Sequence, residues 1–140
     1  MNKKGEIIIV DDDEDDCQLF SESLQRIKIT NKVVCFANVQ DTLNYLRKID
    51  SDPFLIFSDL RMPGINGLEF KQMISADENL VKKAIPFVLF TLAIDNTSFN
   101  TALTIGVQGF FVKPLSVDEL DDTLSTIINY FQKNFGNVLP

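Results

Sequence analysis

Five short runs along the chain are almost wholly apolar: "EIIIV" at 6–10, "KVVCF" at 32–36, "FLIFS" at 54–58, "PFVLFT" at 86–91 and "GFFV" at 109–112. They are rich in β-branched and aromatic residues and do not alternate with polar ones, the pattern of parallel strands covered on both faces. Between them apolar residues recur at three to four positions. Leu19, Phe20, Leu24 and Ile27 form one stripe. Val39, Leu43, Leu46 and Ile49 form a second behind Asn38, a suitable N-cap with Asp41 three residues on. A third helix is expected after Gly67 on Leu68, Phe70, Met73 and Ile74, a looser fourth over 96–105, and a fifth on Val117, Leu120, Leu124, Ile127, Ile128 and Phe131.

Strand and helix therefore alternate five times, which predicts an α/β chain with helices on both faces of a parallel sheet. The expected architecture is a flavodoxin-like doubly wound sheet of five strands in the order 2-1-3-4-5, with five helices. At 140 residues the chain reads as one domain, its core over about 5–134 and a short tail, "FGNVLP", at 135–140.

Charge narrows the function classes. A formal net charge of −7 argues against a basic groove for nucleic acid or an anionic membrane surface. No apolar run approaches the roughly 20 residues of a membrane helix, and no apolar leader opens the chain. Cys17 and Cys35 stand in no C-x-x-C arrangement and are expected to be buried thiols, which suits a cytoplasmic protein. With no histidine, any chemistry must use carboxylate, hydroxyl and lysine.

The acids supply a candidate. Ligands of doubly wound sheets sit beyond the carboxyl ends of the strands where strand order reverses, here between the first and third strands. Asp11 and Asp12 end the first of these and Asp59 ends the third. Charges about 4 Å apart repel by roughly 4 kcal/mol at an effective dielectric near 20, so three carboxylates in one crevice call for a counter-charge. An all-oxygen donor set suits a hard divalent cation, best Mg²⁺. Thr91 ends the fourth strand and Lys113 follows the fifth, adding a hydroxyl and an ammonium at the same edge. The inventory matches phosphoryl transfer to an aspartate, in which the carboxylate is the nucleophile and metal, lysine and hydroxyl hold the phosphoryl oxygens.

"VDDDEDD" after the first strand, "SDLRMPGINGLEF" after the third, "FT" ending the fourth and "FFVKPL" ending the fifth resemble the receiver domain of two-component response regulators, over nearly the whole chain. The resemblance implies that Asp59 is the phosphoacceptor, that Asp12 and Asp59 ligate Mg²⁺ directly with Asp11 supporting through water, and that the Arg61 carbonyl adds a ligand. It further implies that Thr91 moves toward a phosphoryl oxygen, that Lys113 pairs with the phosphate, that Phe110 is the aromatic rotamer switch and that the Lys113–Pro114 bond is cis. The implied donor is a sensor histidine kinase or phosphotransfer protein. The implied output is docking of a downstream protein on the face of the fourth helix, fifth strand and fifth helix, with room for a phosphorylation-dependent homodimer. Such a chain is a signalling switch with self-phosphorylation and autodephosphorylation, not a metabolic enzyme.

Simpler readings compete at single residues. Asp13, Glu14, Asp15 and Asp16 are expected to cap and solvate the first helix. Asp11, Asp13, Asp15 and Glu22 have calcium-loop spacing, but Asp16 stands where that loop needs glycine and a strand precedes it. A haloacid-dehalogenase-like phosphatase would use Asp11 as nucleophile and Asp13 as acid, yet has no use for the M-P-G and K-P segments. A receiver-like docking domain that takes no phosphate is the other alternative. Leu92, where the family usually has a small residue, is a departure expected to restrict access to the phosphorylation site. Arg61, two residues after the acceptor, is placed to reach over the phosphate or pair with nearby acids, with slower hydrolysis expected.

Overall fold

A computed structural model describes residues 2–48, 50 and 52–135. Ile49 of the expected second stripe and tail residues 136–140 lie outside the described residues. The strands are β1 (Ile7–Val10), β2 (Val33–Phe36), β3 (Leu55–Asp59), β4 (Phe87–Thr91) and β5 (Gly109–Val112). They form one parallel sheet in the order β2-β1-β3-β4-β5, as expected.

Each inner strand is buried on both faces because its residues alternate between two cores. Ile7 and Ile9 of β1, with Phe57 and Phe90, meet Phe20, Leu24, Leu124 and Ile128 from α1 (Glu14–Arg26) and a long C-terminal helix. Ile8 and Val10, with Ile56 and Leu89, meet Leu43 and Leu46 of α2 (Val39–Lys48) and Phe70 and Ile74 of α3 (Gly67–Ala76). In the first core Phe20 stands edge-on to Phe57 and Phe90 at 6.0 and 5.0 Å between ring centroids. Such pairs add about 1 kcal/mol each beyond the area they bury.

The helix count differs from expectation. A one-turn helix, α4 (Glu78–Val81), follows α3 directly, started by Asp77, whose carboxylate accepts from the Asn79 and Leu80 N–H groups at 2.9 and 3.0 Å. A single turn carries only one buried residue, Leu80, and so leaves no periodic stripe. The expected fourth and fifth helices are therefore α5 (Asn96–Ile105) and α6 (Val117–Tyr130), the latter continued by a π-helical turn at Phe131–Phe135.

Side-chain caps set most helix starts. Asp13 accepts from Asp15 N–H, Asp95 from Ser98 and Ser116 from Glu119. Asn38 accepts from the Asp41 N–H at 2.7 Å, the cap its sequence suggested. Asn66 and Glu69 form a reciprocal capping box that holds the start of α3 beside the end of β3.

The cysteines are a correction: Cys17 and Cys35 are joined as a disulfide rather than standing as free thiols. Cys17 is buried in α1, but Cys35 is exposed on edge strand β2, directly beside Ile9 of β1.

Candidate functional site

The functional groups lie just where the strands stop. Backbone bonds of the sheet run on past the strands: Asp11 N–H donates to the Phe36 carbonyl at 3.0 Å, Leu60 N–H to Phe90 at 2.9 Å and Lys113 N–H to Thr91 at 2.7 Å. Asp11, Asp59, Thr91 and Lys113 are thus held by the sheet itself at one edge. Carboxylate oxygens of Asp11, Asp12 and Asp59 lie within 4.8 Å of one another, with Asp11 buried, Asp59 half-buried and Asp12 exposed. Two runs of sequence 48 positions apart form one acidic crevice, as the strand order required.

Two glycines shape the turn after β3. Gly64 has φ +79°, a left-handed conformation that glycine adopts without cost. A Cβ on Gly67 would lie 2.5 Å from the Asp59 carbonyl oxygen and 2.6 Å from Leu89, so only glycine lets α3 begin this close to the acceptor strand.

Lys113 is the counter-charge. Its ammonium donates to Asp11 Oδ2 at 2.9 Å and Asp16 Oδ2 at 2.8 Å, and lies 3.6 Å from Asp59 Oδ2. Burial alone would lower its pKa, but the bonds to Asp16 and Asp11 and the charge of Asp59 outweigh this and hold it raised. Burial pushes the Asp11 carboxyl up, offset by the Asp13 N–H at 3.0 Å and by Lys113. The Asp59 carboxyl is likewise raised by burial and by Asp11 and Asp12, against the pull of Lys113 and a bond from the Arg61 N–H. One ammonium does not neutralise three neighbouring acids. The remaining deficit, met by an all-oxygen donor set, is what a hard divalent cation fits. A void of about 10 Å³ lined by Asp11, Ser58, Asp59 and Lys113 together with Ile9, Val10, Phe20, Phe57 and Phe90 has space for about one water.

Thr91 is 1% exposed; its hydroxyl donates to the Ala93 carbonyl at 3.1 Å and accepts from Arg61 Nη1 at 2.8 Å. The same guanidinium donates to Asp95 Oδ2 at 2.6 Å, so Arg61 ties the Thr91 hydroxyl to the cap of α5. Of the two roles open to its side chain, it pairs with a nearby acid. Leu92 is 75% exposed rather than packed into the crevice. Phe110 is half-buried on β5, its ring 6.3 Å from that of Phe99 on α5. The Lys113–Pro114 peptide is trans, contrary to the expected cis bond; the lysine reaches the crevice from the sheet-held position of its own backbone.

Sequence reasoning missed Asp16, which holds the lysine as well as lying in the first turn of α1. The signal was its place as the third residue of α1, in the turn that directly follows the strand end carrying Asp11 and Asp12. Asp13 behaves as the expected cap. Because α1 already starts at Glu14, Asp11, Asp13, Asp15 and Glu22 wrap no common calcium loop.

Residues 7–125 match the sequence model of the response regulator receiver domain. The chain is 31% identical over 133 residues to the chemotaxis protein CheY-3 of Vibrio cholerae, covering 91% of this chain and 94% of that protein. It is 28% identical over 129 residues to a probable methanogenesis regulatory protein, FilR2, of Methanothrix harundinacea, covering 89% and 82%. Among solved structures, a phosphorylated cyanobacterial phytochrome response regulator, RcpA, superposes with a TM-score of 0.81 at 25% identity, covering 92% of this chain and 94% of that one.

Proposed function

Because the chain belongs to the response regulator receiver domain family, we propose that it is an aspartyl-phosphate switch in which Asp59 accepts a phosphoryl group from a histidine kinase or phosphotransfer protein. The observation that carries this reading is the convergence of Asp11, Asp12 and Asp59 within 4.8 Å, with the Lys113 ammonium 3.6 Å from Asp59. Asp11, Asp12, Asp59 and the Arg61 carbonyl would hold Mg²⁺, which when bound supplies positive charge to the phosphoryl oxygens.

The residues divide the work. Asp59, ionised, attacks phosphorus without needing a base; an O–P bond forms as the donor's P–N bond breaks, and the imidazole leaves with the electron pair. Lys113 stands close enough to exchange its bond to Asp11 or Asp16 for one to a phosphoryl oxygen. For Thr91 to donate to that phosphoryl group its hydroxyl must leave the Ala93 carbonyl, which would draw the β4–α5 loop inward and release space for Phe110 beside Phe99. The switch then alters the face of α5, β5 and α6, where Leu103, Phe111, Val112, Leu115 and Val117 are exposed and offer an apolar docking surface to a downstream protein.

On this reading residues 1–140 act as a single receiver unit in the cytoplasm, and no helix among the described residues is long and apolar enough to cross a membrane. Incubation with Mg²⁺ and acetyl phosphate should add one phosphoryl group by intact mass, and Asp59→Asn should abolish it. Turnover of phosphate that survives Asp59→Asn but is lost in Asp11→Asn would instead indicate the phosphatase. No adduct on the folded protein would leave a phosphate-independent docking domain.

A further inference from the structure

The disulfide between Cys17 and Cys35 joins two parts of the molecule that bear on the phosphoacceptor crevice. Cys17 follows Asp16 directly in the first turn of α1, and Asp16 Oδ2 is the nearest acid to the Lys113 ammonium at 2.8 Å. Cys35 stands on edge strand β2 opposite Ile9, two residues before Asp11. The bond therefore clamps the start of α1 to the sheet at the level of the crevice, with Cα atoms 6.3 Å apart. In a reducing cytoplasm a bond of this kind is usually transient and either catalytic or sensing. Cys35 is exposed, and the Ser21 hydroxyl lies 3.7 Å from its sulfur, within reach of a thiolate.

We propose that Cys17 and Cys35 form a reversible thiol-oxidation site that sets the rate at which Asp59 takes phosphate, an inference that rests on the receiver reading above. Oxidation by hydrogen peroxide balances in two steps. The Cys35 thiolate attacks the peroxide oxygen, the O–O bond breaks, and hydroxide leaves and is protonated to water, giving a sulfenic acid. The Cys17 thiol then attacks that sulfur, losing its proton as a second water leaves, and the S–S bond forms. A dithiol reverses this by exchange, becoming oxidised to its own disulfide. In the oxidised protein the clamped first turn keeps Asp16 on Lys113, and the ammonium stays closer to Asp16 and Asp11 than to Asp59. Reduction frees the turn, so that Lys113 moves to the incoming phosphoryl group with less competition.

The test uses the full chain in two states, one treated with hydrogen peroxide and one with a dithiol, with thiol alkylation read by intact mass and phosphorylation by acetyl phosphate and Mg²⁺ followed in each. The reduced form is expected to phosphorylate faster by about fivefold, what a part-exposed ion pair is worth. Cys35→Ser, a change at an exposed position, should show the faster rate under both treatments, and Asp16→Asn should erase the difference. Equal rates in the two states, a bond that resists the dithiol, or a difference that survives Asp16→Asn would overturn the proposal while leaving the receiver reading intact. A folded protein that takes no phosphate in either state would overturn both.

Discussion

The guanidinium of Arg61 donates to the Thr91 hydroxyl at 2.8 Å, and so occupies the one side chain at the end of β4 that a phosphoryl group on Asp59 would engage. Its second nitrogen is bound to Asp95 at 2.6 Å, which anchors it to the cap of α5. If Asp59 takes phosphate as proposed, a guanidinium held on Thr91 and Asp95 would stand beside the acyl phosphate and hinder attacking water. Arg61→Ala should therefore lose phosphate faster than the wild type, by about threefold. Decay of the mass-resolved adduct measures it, and equal or slower decay in the variant refutes the shielding role.

The surplus of negative charge at Asp11, Asp12 and Asp59 should make folding depend on a divalent cation. With free Mg²⁺ at about 100 times its dissociation constant the native state gains about 2.7 kcal/mol, or about 8 °C in midpoint for a chain of this size. A thermal melt with and without chelator reads the shift, and Asp12→Asn should remove most of it.

Lys113 is the sole cation within 4 Å of the buried Asp11 among the described residues. Lys113→Met leaves that carboxylate without its partner and should cost about 3 kcal/mol in metal-free denaturant unfolding. Added Mg²⁺ should return more stability to this variant than to the wild type, since it then supplies all of the counter-charge. Phosphorylation should remain slow even when stability is restored.

Gly67→Ala places a methyl group against the Asp59 carbonyl and Leu89. The backbone of β3 or the start of α3 must shift, at about 2 kcal/mol. Because the shifted atom belongs to the acceptor residue, the phosphorylation rate should fall along with the midpoint of unfolding. A full rate in a destabilised variant would show that the tight approach serves packing alone.

Tyr45 of α2 donates its phenol hydrogen to Glu6, just before β1, and this bond, with burial, pushes its pKa up to about 12 from 10.0. The native state favours the neutral phenol. Its contribution to stability is complete below pH 10 and is lost as pH climbs through about 12. Phenolate absorbance should show one tyrosine titrating near that value, and Tyr45→Phe should remove both that transition and its share of the alkaline loss of stability.

The strands were legible because both faces of each inner strand are covered, which leaves uninterrupted runs such as Ile7–Val10. Once strand order was inferred, Asp11, Asp12, Asp59, Thr91 and Lys113 had to meet, since each stands at or just beyond a strand end. Side-chain contacts between distant parts of the chain were not legible. Nothing local in the sequence says that Arg61 turns to Asp95, or that Cys17 reaches Cys35 across 18 positions. Asp16 was hidden by its company, being one acid in a run whose other members cap or face water. Helix α4 escaped because a turn with one buried leucine has no period to detect.

The crevice draws on the ends of four strands, with Asp11 and Asp12 after β1, Asp59 on β3, Thr91 on β4 and Lys113 after β5, and sheet bonds run on past β1, β3 and β5. A fragment that lacks β1, β3, β4 or β5 lacks at least one of these groups. Phosphate uptake at Asp59, as proposed, should therefore report that those four strands are assembled, and a proteolytic cut that lets one of their crossovers unravel is expected to abolish it.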